Sequence, residues 1–146
     1  MSAVAWKFEH SAECDAPRAF AWSFWTDVTN WDDPPARFEL DGYFSEGARL
    51  ITVLPTQRLE SVIREVHEGR EALIEMKIAG AVIGFRWKFT EITPKRTLLT
   101  QTIALSGPGA ESLKGQAKVL GQNAPAGMKK LVQSIERSSR AASDIK

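Results

Sequence analysis

Hydrophobic and polar residues alternate at the start of the chain. Between residues 4 and 13, Trp6, Phe8 and His10 occupy every second position, and charged or polar residues lie between them. A period of two that includes aromatic residues is typical of a strand with one buried face. The pattern therefore predicts a first strand with these three side chains pointing inward.

Two short helices are predicted after this strand. Asp15-Ala16-Pro17 resembles a helix start, because Asp caps well and Pro suits the first helical position. Phe20, Phe24 and Trp25 then recur at spacings typical of an apolar helical stripe. A second helical turn is expected over residues 27–31, and Asp33-Pro34-Pro35 ends it because proline restricts the backbone before it.

Short strands separated by turns follow as far as residue 105. The clearest alternation places Ile83, Phe85, Trp87 and Phe89 on one face. The predicted strands cover residues 37–40, 48–54, 58–66, 72–78, 82–92 and 97–105. No helix alternates with these strands, so the pattern favours an antiparallel meander over a parallel sheet.

The last part of the chain changes to a helical period. Apolar residues recur every three or four positions from about residue 111 to about residue 140. Pro125 and Gly127 interrupt this helix, and a kink or short break is expected there. The helix is expected to bury its stripe on the sheet, and the stripe comprises Leu113, Ala117, Leu120, Ala124, Met128, Leu131 and Ile135.

Composition indicates a single soluble globular domain over residues 1–146. The formal net charge of +1 favours neither nucleic acid nor a membrane surface. No apolar run is long enough for a membrane span, so stable membrane insertion is not expected. The lone Cys14 and the absence of a signal-peptide pattern lead us to expect a cytoplasmic protein. Nothing in the sequence distinguishes a monomer from a homodimer.

Two polar residues stand among the predicted inward positions. His10 shares its face with Trp6 and Phe8, and Gln101 alternates in phase with Leu99 and Ile103. Each is either a hydrogen-bonded core residue or a polar anchor for a ligand, and His10 is also the only strong acid/base candidate. We expect no metal and no cofactor, because the sequence has no metal-ligand spacing and no nucleotide-binding motif.

The whole pattern resembles the START-like (SRPBCC) superfamily, in particular its bacterial polyketide cyclase/dehydrase-like proteins. Five features carry the resemblance: residues 16–22, residues 27–31, Gly47 before a strand, Thr97 entering the last strand, and the Gly107-Pro108 exit into the long helix. It implies an α+β helix-grip fold, in which a curved antiparallel sheet of about seven strands wraps a long C-terminal helix. It also implies an apolar cavity between the sheet and the helix.

Three functions remain open on this basis. The first is binding of a small hydrophobic molecule such as a lipid or polyketide. The second is a cyclase or dehydratase reaction that uses His10. The third is a protein-interaction module, for which the acid-rich segment 27–46 is the only indication. The residues expected to line the cavity are Phe8, His10, Trp31, Ile83, Phe85, Trp87, Phe89, Gln101, Met128 and Leu131.

Overall fold

The computed structural model describes residues 4–31 and 33–144. Seven strands form one antiparallel sheet in the order β1-β7-β6-β5-β4-β3-β2. The strands are β1 (Val4–Cys14), β2 (Arg37–Leu40), β3 (Arg49–Val53), β4 (Arg58–His67), β5 (Glu71–Ile78), β6 (Ala81–Thr93) and β7 (Arg96–Ser106). The helices are α1 (Arg18–Thr26), a 3-10 turn (Val28–Trp31), a second 3-10 turn (Glu111–Leu113) and α2 (Lys114–Asp144).

The register of the sheet gathers the predicted inward residues on one concave face. Phe8 pairs with Ile103, which pairs with Phe85, and Phe85 pairs with Ile74. Directly paired residues point to the same side of a sheet. The predicted helix-grip architecture, with the curved sheet against the long C-terminal helix, is therefore confirmed.

Helix α1 buries Trp25 as predicted, but the buried face is turned toward Trp22. Trp22 and Trp25 are buried, whereas Phe20 and Phe24 are only half-buried. The periodicity was ambiguous, because four aromatic residues are distributed around nine helical positions. Packing decides the face: the Trp22 ring meets Phe89 edge to face at 5.4 Å between centroids.

Helix α2 is continuous through Pro125, so the expected break is wrong. Its buried stripe is also shifted, since Leu120 is 38% exposed whereas Gly121 is buried. A β-carbon at Gly121 would lie 3.0 Å from two ring carbons of Trp6. The helix therefore approaches β1 at a residue without a side chain, and this contact turns Leu120 toward solvent.

A glycine loop fixes where the C-terminal segment leaves the sheet. Gly109 donates its backbone N–H to the carbonyl of Gly80 in the β5–β6 turn, at 3.0 Å. A β-carbon at Gly109 would clash with the carbonyl oxygen of Ala79. Only glycine fits this approach of two backbones, which sets the starting point of α2.

The buried apolar residues divide into two clusters. The tryptophan cluster surrounds Trp25 and joins α1, the ends of β6 and β7, and the second half of α2. The aliphatic cluster surrounds Ile103 and Leu105 and packs against the first half of α2. Both clusters cover the concave face, and Gln101, paired with His10, lies on β7 between Leu99 of the tryptophan cluster and Ile103 of the aliphatic cluster.

Candidate functional site

The tryptophan cluster occupies part of the space where a cavity was expected. The Trp25 ring lies 5.4 Å from Trp87, 5.4 Å from Phe89 and 5.5 Å from Trp31, measured between centroids. Three of the residues expected to bind a ligand therefore pack against an indole of the protein itself. The sequence pattern missed this, because it assigned Trp25 to a helical stripe without showing which strand the indole would meet.

Hydrogen bonds fix two indoles of the tryptophan cluster, those of Trp31 and Trp22. Trp31 donates its ring N–H to the carbonyl of Trp25 at 2.6 Å. Trp22 donates to the carboxylate of Glu68 at 3.1 Å. Buried indoles need such partners, so the rings are held by polar contacts as well as by packing.

Three other predicted residues belong to the aliphatic cluster. Ile83 is buried, whereas Phe8 and Phe85 are half-buried. The rings of Trp6, Phe8 and His10 stack in succession along β1, at 6.3 Å and 5.4 Å between centroids. This aromatic row leads along the concave face to the imidazole of His10.

His10 and Gln101 form a hydrogen-bonded pair between neighbouring strands. They are directly opposite in the β1–β7 register, and the His10 Nε2 to Gln101 Oε1 distance is 2.7 Å. The amide oxygen can only accept, so Nε2 carries the proton and a neutral ring leaves Nδ1 as an acceptor. The pair is part-buried.

This pair keeps unused hydrogen-bonding capacity. Among the described residues, no partner lies on His10 Nδ1 or on the Gln101 amide nitrogen. No fully buried side-chain nitrogen or oxygen in the described ranges lacks a partner. Both atoms therefore keep some exposed surface, and can accept from or donate to a bound molecule.

A groove of about 340 Å³ lies between the edge strand β1 and helix α2. His10 and Met128 line it, so it brings together two of the residues predicted from the sequence. Gln101 does not line the groove, but its side chain is hydrogen-bonded to His10, which does. Leu131 is half-buried against the tryptophan cluster and does not line it. The lining comprises His10, Ser11, Ala12, Glu13, Pro125, Met128, Lys129, Val132, Gln133 and Glu136.

One end of the groove is held by charged residues. Glu136 on α2 accepts the backbone N–H of Asp15 at 2.9 Å, which ties the helix to the end of β1. Glu13 pairs with Arg96 at 3.1 Å. Sequence reasoning did not find these groove residues, because their partners are up to 121 positions away along the chain.

Cys14 is not available as a nucleophile. Its side chain is fully buried in the tryptophan cluster. Burial raises the pKa of the thiol to about 12, and the nearby carboxylates of Glu136 and Asp15 add to the rise. A thiol that stays protonated is unreactive at neutral pH.

The convex face of the sheet is lined with ion pairs. Arg86 contacts Glu71 at 2.6 Å and Glu65 at 3.2 Å. The hydrogen bond from Arg86 holds the pKa of Glu65 below its ordinary value. A second depression of about 470 Å³, lined by residues of β2, β3 and β4, is also bordered by paired charges, with Arg49 between Asp41 and Glu60.

The acid-rich segment is engaged within the chain. Glu39 and Asp41 pair with arginines, and Glu46 accepts the backbone N–H of Val66 at 3.2 Å. Asp27 accepts from Thr29, and Asp32 lies outside the described residues. These contacts give the protein-interaction hypothesis no support. The described ranges contain no group of three metal-binding side chains and no helix that could span a membrane.

Comparison with solved structures shows which known proteins share this architecture. Norcoclaurine synthase from Thalictrum flavum aligns with a TM-score of 0.73 at 11% identity, over 96% of this chain and 98% of that one. The Zhui aromatase/cyclase from Streptomyces sp. R1128 aligns with a TM-score of 0.70 at 17% identity, over 97% and 98%. The chain shares the helix-grip fold of these structures. The resemblance stated from the sequence is thereby confirmed at the level of the fold.

Further helix-grip structures differ in length and in what they hold. The di-domain aromatase/cyclase BexL aligns with a TM-score of 0.71 at 15% identity, over 90% of this chain and 46% of that one. Norcoclaurine synthase has also been solved with dopamine and hydroxybenzaldehyde. No protein-family model and no curated protein matches the chain.

Proposed function

We propose that this protein binds a small hydrophobic molecule in the groove between β1 and α2, with a polar group of that molecule at His10 and Gln101. The observation that carries the proposal is the part-buried His10–Gln101 pair, which joins at 2.7 Å and keeps an acceptor and amide donors free. The groove volume of about 340 Å³ lies within the range of roughly 300–1,000 Å³ common for small-molecule sites.

The composition of the groove supports an apolar body with one polar end. Ala12, Pro125, Met128 and Val132 offer apolar surface, and burial of apolar ligand surface is worth about 25 cal/mol per Å². A ligand hydroxyl could donate to His10 Nδ1, and a ligand carbonyl could accept from Gln101. Phe8, whose ring stacks on His10, would extend the apolar surface along the concave face.

A first test identifies what the protein carries. Native mass spectrometry of the purified protein would be followed by denaturation and identification of any released molecule. We expect an apolar compound of low molecular mass at near one per chain. Release of only polar buffer components, together with no binding in the probe assay below, would contradict the proposal.

A second test locates the site with the neutral fluorescent probe N-phenyl-1-naphthylamine. Gln133→Trp places a large ring in the groove at an exposed helical position, so it should weaken probe binding at least about tenfold. Gln122→Trp makes the same change on an exposed part of α2 away from the groove, and should leave binding unchanged. Equal affinities for the two variants would place the probe elsewhere.

A cyclase or dehydratase reaction is the second candidate. The observation that favours it is the free Nδ1 of His10, which is an available base beside the groove. In this case His10→Gln should retain affinity for the molecule recovered by extraction and lose its conversion, measured by mass spectrometry after incubation. A carrier would show no conversion by the unaltered protein either.

A further inference from the structure

The outer face of α2 concentrates the positive charge of the chain. The helix contains six basic and two acidic residues, so it carries +4, whereas the whole chain carries +1. The remainder of the chain is therefore net negative at −3. Charge separated in this way creates a local field that the net charge of the whole chain hides.

The basic side chains follow one side of the helix. Lys118, Lys129 and Arg140 follow one another at intervals of eleven residues, and eleven residues make just over three turns. They therefore lie nearly in line. Lys130 and Arg137 lie on the same exposed half, and the basic face is defined by Lys118, Lys129, Lys130, Arg137 and Arg140, all exposed.

The basic face is not neutralised within the described part of the molecule. Of the side chains described, no carboxylate pairs with any of its five members, and Arg137 reaches only the hydroxyl of Ser134 at 3.4 Å. Lys114 pairs with Glu111 and lies outside the face. On the convex side of the sheet, by contrast, Arg86, Arg64 and Arg49 each have a carboxylate partner.

An apolar residue is exposed beside these charges. Val119 is 55% exposed and lies on the same side of the helix as Lys130 and Arg137. Lys129 belongs both to the basic face and to the lining of the groove. The site proposed for an apolar molecule thus opens beside the basic face.

We propose that the basic face of α2 docks the protein on an anionic lipid bilayer. A bilayer presents many negative headgroups in a plane, which Lys118, Lys129 and Arg140, spread over about 33 Å of the helix, can contact together. Exposed Val119 would add a shallow apolar contact. Single-stranded nucleic acid fits less well, because none of the exposed positions of this face carries an aromatic side chain for stacking on bases. Binding is peripheral, since the apolar stripe of α2 is already buried in the core.

Vesicle co-sedimentation tests the proposal with the full chain. Vesicles would contain phosphatidylcholine alone or with about 30% phosphatidylglycerol, at about 50 mM and about 200 mM salt. We expect binding only to the anionic vesicles, with clear weakening at the higher salt. No binding to anionic vesicles at low salt would overturn the proposal.

Matched charge reversals separate the face from net charge. K118E/K130E/R140E leaves Lys129 of the groove in place, and should reduce partitioning by about 100-fold, given roughly a fivefold contribution per basic residue. K7E/K77E/K88E changes the net charge equally at exposed positions of the sheet and should retain most of the binding. Equal losses in the two variants would refute a role for the face. Tighter binding to a 20-base-pair DNA duplex than to vesicles would also refute the proposal.

Discussion

The tryptophan cluster and the aliphatic cluster cover the same concave sheet by different means. In the first, Trp25 fills the space with a large ring that contacts five other aromatic rings. In the second, Gly121 removes a side chain so that α2 can descend onto Trp6. One region is filled by large rings of α1 and the other is closed by the approach of α2. The His10–Gln101 pair lies where the two arrangements meet.

The comparison explains why the groove lies beside β1. Close packing in cores leaves few voids larger than a water molecule. The space around Trp87 and Phe89 is occupied by Trp25, so it offers little room for a ligand without movement of an indole. Next to Pro125 and Ala12 the facing side chains are short, and the space between strand and helix stays open.

The largest effect is expected from removing the ring that fills the first region. Trp25→Ala should lower the free energy of unfolding by about 3–5 kcal/mol, because it leaves a large cavity among rigid rings. Trp31→Ala, at the half-buried edge of the same cluster, should lower the free energy of unfolding by clearly less. Urea denaturation measures both. Similar losses for the two variants would mean that Trp25 is not the centre of the packing.

A smaller effect is expected where the second region is closed. Gly121→Ala should lower the free energy of unfolding by about 1–3 kcal/mol, because the new methyl group would force the Trp6 ring to move. Gly127→Ala, on the same helix with no neighbour within 4 Å, should stabilise by up to about 1 kcal/mol. If both alanine variants stabilise the protein, the close approach of α2 to β1 is wrong.

The smallest effect concerns the buried thiol at the edge of the tryptophan cluster. An unfolded thiol ionises near its ordinary pKa of 9.0, whereas Cys14 in the folded state keeps its proton to about pH 12. The preference of the folded state for the protonated thiol therefore contributes fully to the free energy of unfolding below pH 9. This contribution is lost as the pH rises toward 12. Urea denaturation from pH 8 to 10.5 should show a steeper decline than for Cys14→Ala. Parallel declines would show that the thiol ionises equally in both states.

Much of the fold could be predicted from local pattern. The alternation of Ile83, Phe85, Trp87 and Phe89 showed the inward face of β6, and the in-phase position of Gln101 put it on the same face. His10 opposite Gln101 needed the strand register, which a pattern of period two does not determine. The two residues were therefore found separately, and only the structure shows that they form a pair.

The features of the fold and of the site that were not predicted depend on contacts between residues that are distant in sequence. The insertion of Trp25 between Trp87 and Phe89 joins residues more than sixty positions apart, and no local period encodes it. The continuity of α2 through Pro125 is another example, because tertiary packing on both sides of a proline can outweigh the lost hydrogen bond. Because of both effects, the candidate site lies at the β1 edge of the sheet and not at its centre, where it was predicted.

The central claim is that a small apolar molecule binds at the groove beside His10 and not within the tryptophan cluster. Amide chemical shifts recorded while N-phenyl-1-naphthylamine is added test this directly. We predict the largest changes at Ser11, Ala12, Gln133 and the Gln101 side-chain amide, with the indole N–H signals of Trp22 and Trp31 unmoved. Changes concentrated at those indoles and at Trp25 would contradict the claim, because they would place the ligand in the region that the structure shows to be filled.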